Sequence, residues 1–107
     1  MNETDWSAEA CVARGVEKLD ALNPDWFKKA NPETLIMSSG TSCVLGQVYG
    51  GYWHGCEVLE LGDVLYENGY TDTFYHGFDS RCGHNTYASL RTAWIAAINE
   101  RNSKVGA

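Results

Sequence analysis

The middle of the chain, residues 42–56, reads SCVLGQVYGGYWHGC. Apolar pairs recur in it at four-residue steps, as on one face of an α-helix. They are Val44/Leu45, Val48/Tyr49 and Tyr52/Trp53, followed by Cys56. Four glycines fall on the other face, although a glycine costs a helix about 1 kcal/mol. The segment therefore predicts a central helix whose glycines allow close backbone packing, with a break at Gly50-Gly51 as the alternative.

Two amphipathic helices are predicted on either side of this segment. Residues 7–22 place apolar side chains every three or four positions, with Ser7 as the N-cap and Asn23-Pro24 as the end. Trp6 and Cys11 stand where a hydrophobic staple would join them. The helix over residues 85–102 is predicted to begin at Asn85 as its N-cap. Its stripe is Tyr87, Leu90, Trp94, Ala97/Ile98 and Arg101. Both stripes should be buried against residues 44–56.

Shorter elements fill the rest of the chain. We expect a helical turn at Trp26-Phe27, a short helix from Asn31-Pro32 to Met37, a polar loop over residues 38–42 and a helix over residues 57–67. Residues 70–84 are turn-rich and aromatic, which favours a long loop or a short β-hairpin. Together these elements predict one domain over residues 1–107, an all-α or α-dominated bundle of four to five helices.

The composition sets limits on location and partners. No run of residues suits a membrane span, and the start MNETDWSAEA lacks the basic and apolar regions of a signal peptide. We therefore expect a cytoplasmic protein whose four cysteines are reduced. The formal net charge is −6, and residues 30–80 contain no Lys or Arg. This distribution argues against direct nucleic-acid binding and favours a partner with a basic surface.

A longer pattern begins at residue 38: SSGTSCVLGQVYGGYWHG, then Gly77-Phe78-Asp79, then a last helix around Leu90 and Trp94. Over about residues 12–101 the chain resembles a group of small proteins encoded by actinobacteriophages and actinobacterial prophages. Many of them carry a second Cys shortly before the one that matches Cys43, where this chain has Gly40, which argues against a shared C-x-x-C site. The resemblance implies an origin rather than an activity: a phage accessory protein in the host bacterial cytoplasm.

Two His/Cys pairs are candidate zinc ligands. His54 and Cys56 form an H-x-C pair, and Cys82 and His84 form a mirrored C-x-H pair after 25 intervening residues. Four such ligands are what a structural zinc requires, but the spacing within each pair is tighter than usual. We prefer the alternative, in which the cysteines are core residues and the protein holds no cofactor.

Cys43 is the candidate nucleophile of a small cysteine-dependent enzyme. It follows a Ser/Gly/Thr loop at a predicted helix N-terminus, where the helix dipole would lower the thiol pKa and free N–H groups would hold an oxyanion. The base would have to be His54, His76 or His84, and no spacing singles one out. A buried core cysteine explains the same position, so an enzyme is the second hypothesis.

Carboxylates at helical spacing line residues 57–67, namely Glu57, Glu60, Asp63 and Glu67. Such a row could imitate DNA phosphates and occupy a DNA-binding protein, which is a further hypothesis. The same pattern is typical of the solvated face of an amphipathic helix.

Aromatic residues accompany these carboxylates, and aromatics are enriched at protein interfaces. With the acidic row as a rim, they predict a docking surface for a host or phage protein that has a basic surface. The candidate binding residues are Tyr49, Tyr52, Trp53, Glu57, Glu60, Asp63, Tyr70, Phe74, Tyr75 and Phe78. The leading hypothesis is therefore a protein-binding, host-interaction module.

Overall fold

The computed structural model describes residues 4–62, 66, 70–80 and 85–105. Six helices account for most of these residues, and no strand occurs in the ranges described. The helices are α1 (Ala8–Leu22), α2 (Trp26–Lys29), α3 (Val44–Tyr49), α4 (Tyr52–Val58), α5 (Asp72–Tyr75) and α6 (Tyr87–Val105). The prediction of an all-α protein is confirmed.

The start of α1 follows the sequence prediction in detail. The Oγ of Ser7 accepts a hydrogen bond of 3.2 Å from the backbone N–H of Ala10 and so caps the helix. Trp6 and Cys11 are buried in one small apolar cluster with Phe74. The staple therefore holds the entering chain against the body of the protein.

The N-cap of α6 is the residue after the predicted one. Thr86 and Ser89 cap each other: the N–H of Ser89 donates to Oγ1 of Thr86 at 3.0 Å, and the N–H of Thr86 donates to Oγ of Ser89 at 2.9 Å. Asn85, the predicted cap, is buried, and its Nδ2 donates to the carbonyl oxygen of Trp6. Asn85 thus joins the start of α6 to the start of α1.

The main core lies where α1 and α6 pack along each other and α2 contacts both α6 and α3. Its fully buried side chains from these helices include Leu19, Trp26, Leu45, Leu90, Trp94 and Ile98. Trp94 stacks on Phe78 with ring centroids 5.3 Å apart and meets Trp26 edge-on at 5.7 Å. The apolar stripes of α1 and α6 share one core with residues 44–56. Helix α6 is connected to α3 mainly through α2, which contacts both.

The central segment is a pair of helices with a sharp bend. Gly50 ends α3 in the left-handed conformation, at φ 87°, and Gly51 is the N-cap of α4. The other two glycines lie at close approaches: a Cβ on Gly46 would collide with the backbone of the preceding loop, and one on Gly55 would lie 2.8 Å from a side chain of α3. The break named as the alternative is therefore observed, and close packing explains the remaining glycines.

The predicted helix after Asn31-Pro32 is wrong. The chain makes a turn there, in which Oδ1 of Asn31 accepts a hydrogen bond of 2.9 Å from the N–H of Glu33. An Asn side chain that bonds its own backbone two residues on is a common alternative to a helix N-terminus.

The predicted helix over residues 57–67 is also wrong in its described part, because α4 ends at Val58. The end is a Schellman motif, in which the N–H of Leu61 donates to the carbonyl of Cys56 at 2.9 Å and the N–H of Glu60 to that of Glu57 at 3.1 Å. Glu60 occupies the left-handed position of the motif, at φ 55°. Residues 63–65 and 67–69 lie outside the described residues.

The segment predicted as a loop or hairpin contains the helical turn α5, which packs against α1. Phe74 of this turn is fully buried beside Trp6, whereas Phe78 points into the main core. The segment thus connects the small cluster to the main core. Its end, residues 81–84, lies outside the described residues.

Candidate functional site

Trp53 is the most exposed large apolar side chain among the described residues, at 77%. It belongs to α4 and meets the neighbouring Tyr52 edge-on, with ring centroids 5.1 Å apart and ring planes at 83°. Two hollows open beside these rings, and Tyr52, Trp53 and Asp79 lie in the walls of both. Trp53 therefore forms a ridge between two concave surfaces.

The larger of these, which we call the acidic hollow, has a volume of about 650 Å³. Its apolar wall is formed by Tyr52, Trp53, Cys56 and Leu61, and its carboxylates are Glu57, Glu60 and Asp79. Among the described residues, no Lys or Arg lies within salt-bridge distance of these three carboxylates. Their negative charge is therefore available to a cationic ligand.

A buried carboxylate fixes the far side of the acidic hollow. One oxygen of Asp72 accepts a hydrogen bond of 3.2 Å from the N–H of Gly62, and the other accepts one of 2.6 Å from the hydroxyl of Tyr66. Burial, together with the hydrogen bond to Asp72, raises the pKa of Tyr66 to about 12. The two bonds join Gly62 and Tyr66 to the first residue of α5.

The second concave surface, which we call the serine hollow, has a volume of about 500 Å³. Met37 and Phe78, both almost completely buried, form its apolar floor. Residues 38–41, a Ser-Ser-Gly-Thr loop, form one rim, and His54 and Tyr87 stand in the remaining wall. The hollow therefore combines an apolar base with hydroxyl groups at its edge.

The rim of the serine hollow is held in place by hydrogen bonds. The Oγ of Ser39 accepts two N–H groups of its own loop, at 3.2 and 3.0 Å. The N–H of Tyr52 donates to the carbonyl oxygen of Gly40 at 2.8 Å, which joins the loop to the start of α4. The loop and the aromatic ridge are therefore joined directly by a backbone hydrogen bond.

Asp79 is the carboxylate common to the two hollows. Its Oδ1 accepts hydrogen bonds from the N–H of Ser80 at 2.9 Å and from the hydroxyl of Tyr87 at 3.0 Å. Burial raises the pKa of the Tyr52 phenol, and the negative charge of Asp79 adds to the shift. Tyr52 therefore remains a neutral hydroxyl between the two hollows.

The structure brings together part of the predicted binding set. Four of its members line the acidic hollow, namely Tyr52, Trp53, Glu57 and Glu60. Asp63 lies outside the described residues. The sequence did not indicate that Asp79, Met37, the loop at residues 38–41 and Tyr87 belong to the same surface. The hydroxyl-rich loop was visible as a composition signal, but nothing local marked the others as neighbours of Trp53.

The other predicted aromatics pack inward. Phe74 stacks on Trp6 with centroids 4.9 Å apart, and Tyr70 and Tyr75 meet the same indole edge-on at 4.9 and 5.7 Å. The guanidinium of Arg14 lies 4.0 Å from the centroid of Tyr75. Two further predicted residues, Tyr49 and Phe78, pack in the main core. Of these side chains, only Phe78 reaches the surface of either hollow.

Cys43 is the N-cap of α3 and is only 2% exposed. Its sulfur accepts a hydrogen bond of 3.3 Å from the N–H of Gly46. Burial raises the pKa of the Cys43 thiol and outweighs the backbone N–H groups, which favour the thiolate. The position is that of a protonated core cysteine, which gives the enzyme hypothesis no support.

The candidate zinc ligands fall only partly within the described residues. His54 is exposed, whereas Cys56 is buried in the main core, and burial raises the pKa of its thiol. Cys82 and His84 lie outside the described residues. In the ranges that are described, no three His, Cys, Asp or Glu side chains gather as metal ligands. The expectation of a protein without zinc stays a prediction.

The acidic row does not continue along one helix. Glu57 belongs to α4, but Glu60 lies beyond the end of that helix in the left-handed conformation. Asp63 and Glu67 lie outside the described residues. The regular spacing that suggested a DNA mimic is therefore interrupted after Glu57.

Comparison of the chain with protein-family models, curated proteins and solved structures found no match. None of the helices described is both long and apolar enough to cross a membrane.

Proposed function

We propose that this protein is a protein-binding module that docks, through Trp53 and the acidic hollow, onto a partner with a basic surface. The observation that carries the proposal is an indole 77% exposed beside carboxylates that no described Lys or Arg neutralises. The partner is a host or phage protein in the bacterial cytoplasm, as the resemblance to phage accessory proteins implies. Direct binding of nucleic acid is not expected, because the charge of this surface is negative.

The energetics favour a docking role for Trp53. An exposed indole contributes nothing to the core, yet burying it against a partner would contribute on the order of 3 kcal/mol. Trp is also the residue type most enriched among the side chains that dominate binding energy. Trp53 lies beside Tyr52, with ring centroids 5.1 Å apart, and an indole has only two side-chain torsions to order when a partner covers it.

The carboxylates would act differently from the indole. Glu57 and Glu60 are exposed and lie at the rim, where charges mainly accelerate association and select the partner. Their contribution is screened by salt, since the Debye length falls from about 30 Å at 0.01 M to about 3 Å at 1 M. The proposal thus predicts an affinity with a salt-independent apolar part and a salt-dependent electrostatic part.

The experiment is affinity capture from a host lysate with wild type and matched variants as baits, followed by affinity measurements on the purified partner. Trp53→Ser should lower affinity about 30-fold at every salt concentration. Glu57→Lys with Glu60→Lys should lower it at low salt and less so at high salt. The controls are Leu22→Ser, an exposed apolar residue of α1, and Glu33→Lys, an exposed carboxylate outside the hollows. Equal capture by all five folded baits would refute a docking role for this surface.

A further inference from the structure

The two hollows share a wall but differ in chemistry. The acidic hollow offers the three carboxylates Glu57, Glu60 and Asp79 beside the indole of Trp53. The serine hollow has an apolar floor and a rim of hydroxyl and backbone groups over residues 38–41. A single partner segment that crosses Trp53 would meet both environments within a few residues.

We propose that the ligand is an extended peptide segment that crosses Trp53, with an Arg or Lys side chain in the acidic hollow and an apolar side chain in the serine hollow. The inference rests on the proposed function and names the chemistry of the segment that the partner presents. It assigns a separate role to each hollow, which the proposed function does not.

The acidic hollow suits a cationic side chain for two reasons. Its carboxylates can form charge-assisted hydrogen bonds with a guanidinium or an ammonium group. The Trp53 ring is accessible to a cation, because the side chain is 77% exposed and Tyr52 meets it edge-on rather than in a parallel stack. An Arg side chain satisfies both conditions at once, because it is planar and stacks on aromatic rings.

The serine hollow suits an apolar side chain over its floor of Met37 and Phe78. The exposed Ser38 and Thr41 at the rim stand where the backbone of a bound peptide needs hydrogen-bond partners. Their loop is already fixed by the bond between Tyr52 and Gly40. Binding would therefore require little rearrangement of the rim.

An extended segment fits this arrangement better than a helix. In a strand, side chains at positions i and i+2 point to the same side and are about 6.6 Å apart, and the two hollows are immediate neighbours that share Tyr52, Trp53 and Asp79. A helix, with a diameter of about 10 to 12 Å including side chains, would rest on the Trp53 ridge and leave the hollows partly empty. The residue between the basic and the apolar positions would point away from the protein.

The probe is the capped peptide acetyl-GSRGLSG-amide, titrated by calorimetry into the full-length protein. Three altered peptides accompany it: one with Arg changed to Glu, one with Leu changed to Ser, and one with three further glycines between Arg and Leu. Each change should weaken binding by about tenfold, which corresponds to about 1.4 kcal/mol. Absence of binding by the probe at millimolar concentration would overturn the inference.

Variants of the protein assign each side chain to its hollow. In Glu57→Gln/Glu60→Gln, which leaves Asp79 as the one described carboxylate of the acidic hollow, the change of Arg to Glu should weaken binding much less than in the wild type, while the change of Leu to Ser keeps its full effect. In Ser38→Phe, which fills the serine hollow, the reverse should hold, and Thr92→Phe on the exposed side of α6 is the matched control. If the Arg-to-Glu and the Leu-to-Ser peptides lost the same affinity in Glu57→Gln/Glu60→Gln as in Ser38→Phe, the assignment of one side chain to each hollow would be refuted. The proposed function would survive that result, since it is measured separately by capture that depends on Trp53.

Discussion

Gly15, in the middle of α1, lies directly against the backbone carbonyl group of His76, so closely that no side chain fits between them. A Cβ at this position would also lie 2.9 Å from the indole of Trp94. Gly15 is therefore the point at which α1, α6 and the residues after α5 meet. Any side chain there would push apart the elements that support the floor of the serine hollow.

The first prediction is that Gly15→Ala destabilises the protein by about 2 kcal/mol or more, since overpacking of a filled site typically costs about 1 to 3 kcal/mol. Helix propensity alone predicts the opposite, a gain of roughly 1 kcal/mol. The measurement is urea unfolding followed by circular dichroism. The control is Gly51→Ala, where a Cβ meets nothing within 4 Å and the backbone is extended at φ −176°. A stabilising Gly15→Ala would contradict the packing described for α1.

The sequence predicted α1 well because the signals that define it are local. The apolar spacing, the cap at Ser7 and the staple from Trp6 to Cys11 all lie within the helix or beside it. The end of α4 had no such signal. The left-handed position after α4 is occupied by Glu60, whereas Gly or Asn would have marked a helix end in the sequence. The next contact comes from Asp72, whose carboxylate accepts a hydrogen bond from the N–H of Gly62, ten residues earlier in the chain. A long-range contact of this kind overrides an apolar spacing that suits a longer helix.

In the candidate site, too, only the residues that are close in sequence could be predicted to lie together. Trp53, Glu57 and Glu60 come from one short segment, so the sequence alone placed an aromatic next to an acidic group. Asp79 and the floor residue Met37 reach Trp53 only through tertiary folding. No local pattern marks such residues, because their neighbours are decided by the packing of distant segments.

The second prediction concerns Trp94, which is completely buried and donates from Nε1 to the carbonyl oxygen of Gly77 at 2.7 Å. Trp94→Phe keeps an aromatic ring in the core but leaves that carbonyl without its partner. We expect the free energy of unfolding to fall by about 2 kcal/mol, because the variant leaves a small cavity and a buried acceptor without its hydrogen bond. Trp94→Ala should cost roughly 3 to 5 kcal/mol. Chemical denaturation measures both, and a loss below about 0.5 kcal/mol for Trp94→Phe would show that the hydrogen bond contributes little.

The third prediction is a loss of stability in acid that depends on His76. Burial lowers the pKa of His76 below 6.5, although its Nδ1 lies 2.8 Å from the carbonyl oxygen of Asp72, a contact that favours the protonated form. The folded state therefore binds this proton less readily than the unfolded chain. Stability is fully present above about pH 6.5 and is lost as the pH falls through the lower pKa of the folded state.

Unfolding free energies measured between pH 7.5 and pH 5 test this dependence on His76. The wild-type protein should lose stability over this range, and His76→Gln should lose less. His54→Gln is the control, because His54 is exposed. If His76→Gln retained the full slope, the acid sensitivity would have to come from other groups.

The fourth prediction concerns the three cysteines that the structure describes. Cys11, Cys43 and Cys56 are buried, and burial raises the pKa of each thiol. In a Cys82→Ser background the native protein should react very slowly with a disulfide reagent at pH 8, and all three thiols should react in denaturant. Rapid modification of Cys43 in the native state would restore the hypothesis of a cysteine-dependent enzyme.

The fifth prediction separates strain from charge at Glu60. A residue with a Cβ in the left-handed conformation costs roughly 1 to 2 kcal/mol, and Glu60 is the only described non-glycine residue with positive φ. Glu60→Gly removes this cost and supplies the usual residue of a Schellman motif. Because glycine also gains entropy in the unfolded chain, we expect a net stabilisation of roughly 0.5 to 1 kcal/mol.

The same variant should bind less well, because it removes a carboxylate from the acidic hollow. Glu60→Gln is the matched control: it keeps the strained backbone and loses only the charge, so its stability should stay close to that of the wild type. Both variants should weaken binding of the arginine-containing peptide to a similar degree, whereas only Glu60→Gly should raise the free energy of unfolding. Such a pair of results would mean that stability is given up at this position for a carboxylate in the hollow, as is common at binding sites. If Glu60→Gly were more stable and bound the peptide as tightly as the wild type, Glu60 would serve only the turn, and Glu57 and Asp79 would have to supply the charge that the cationic side chain meets.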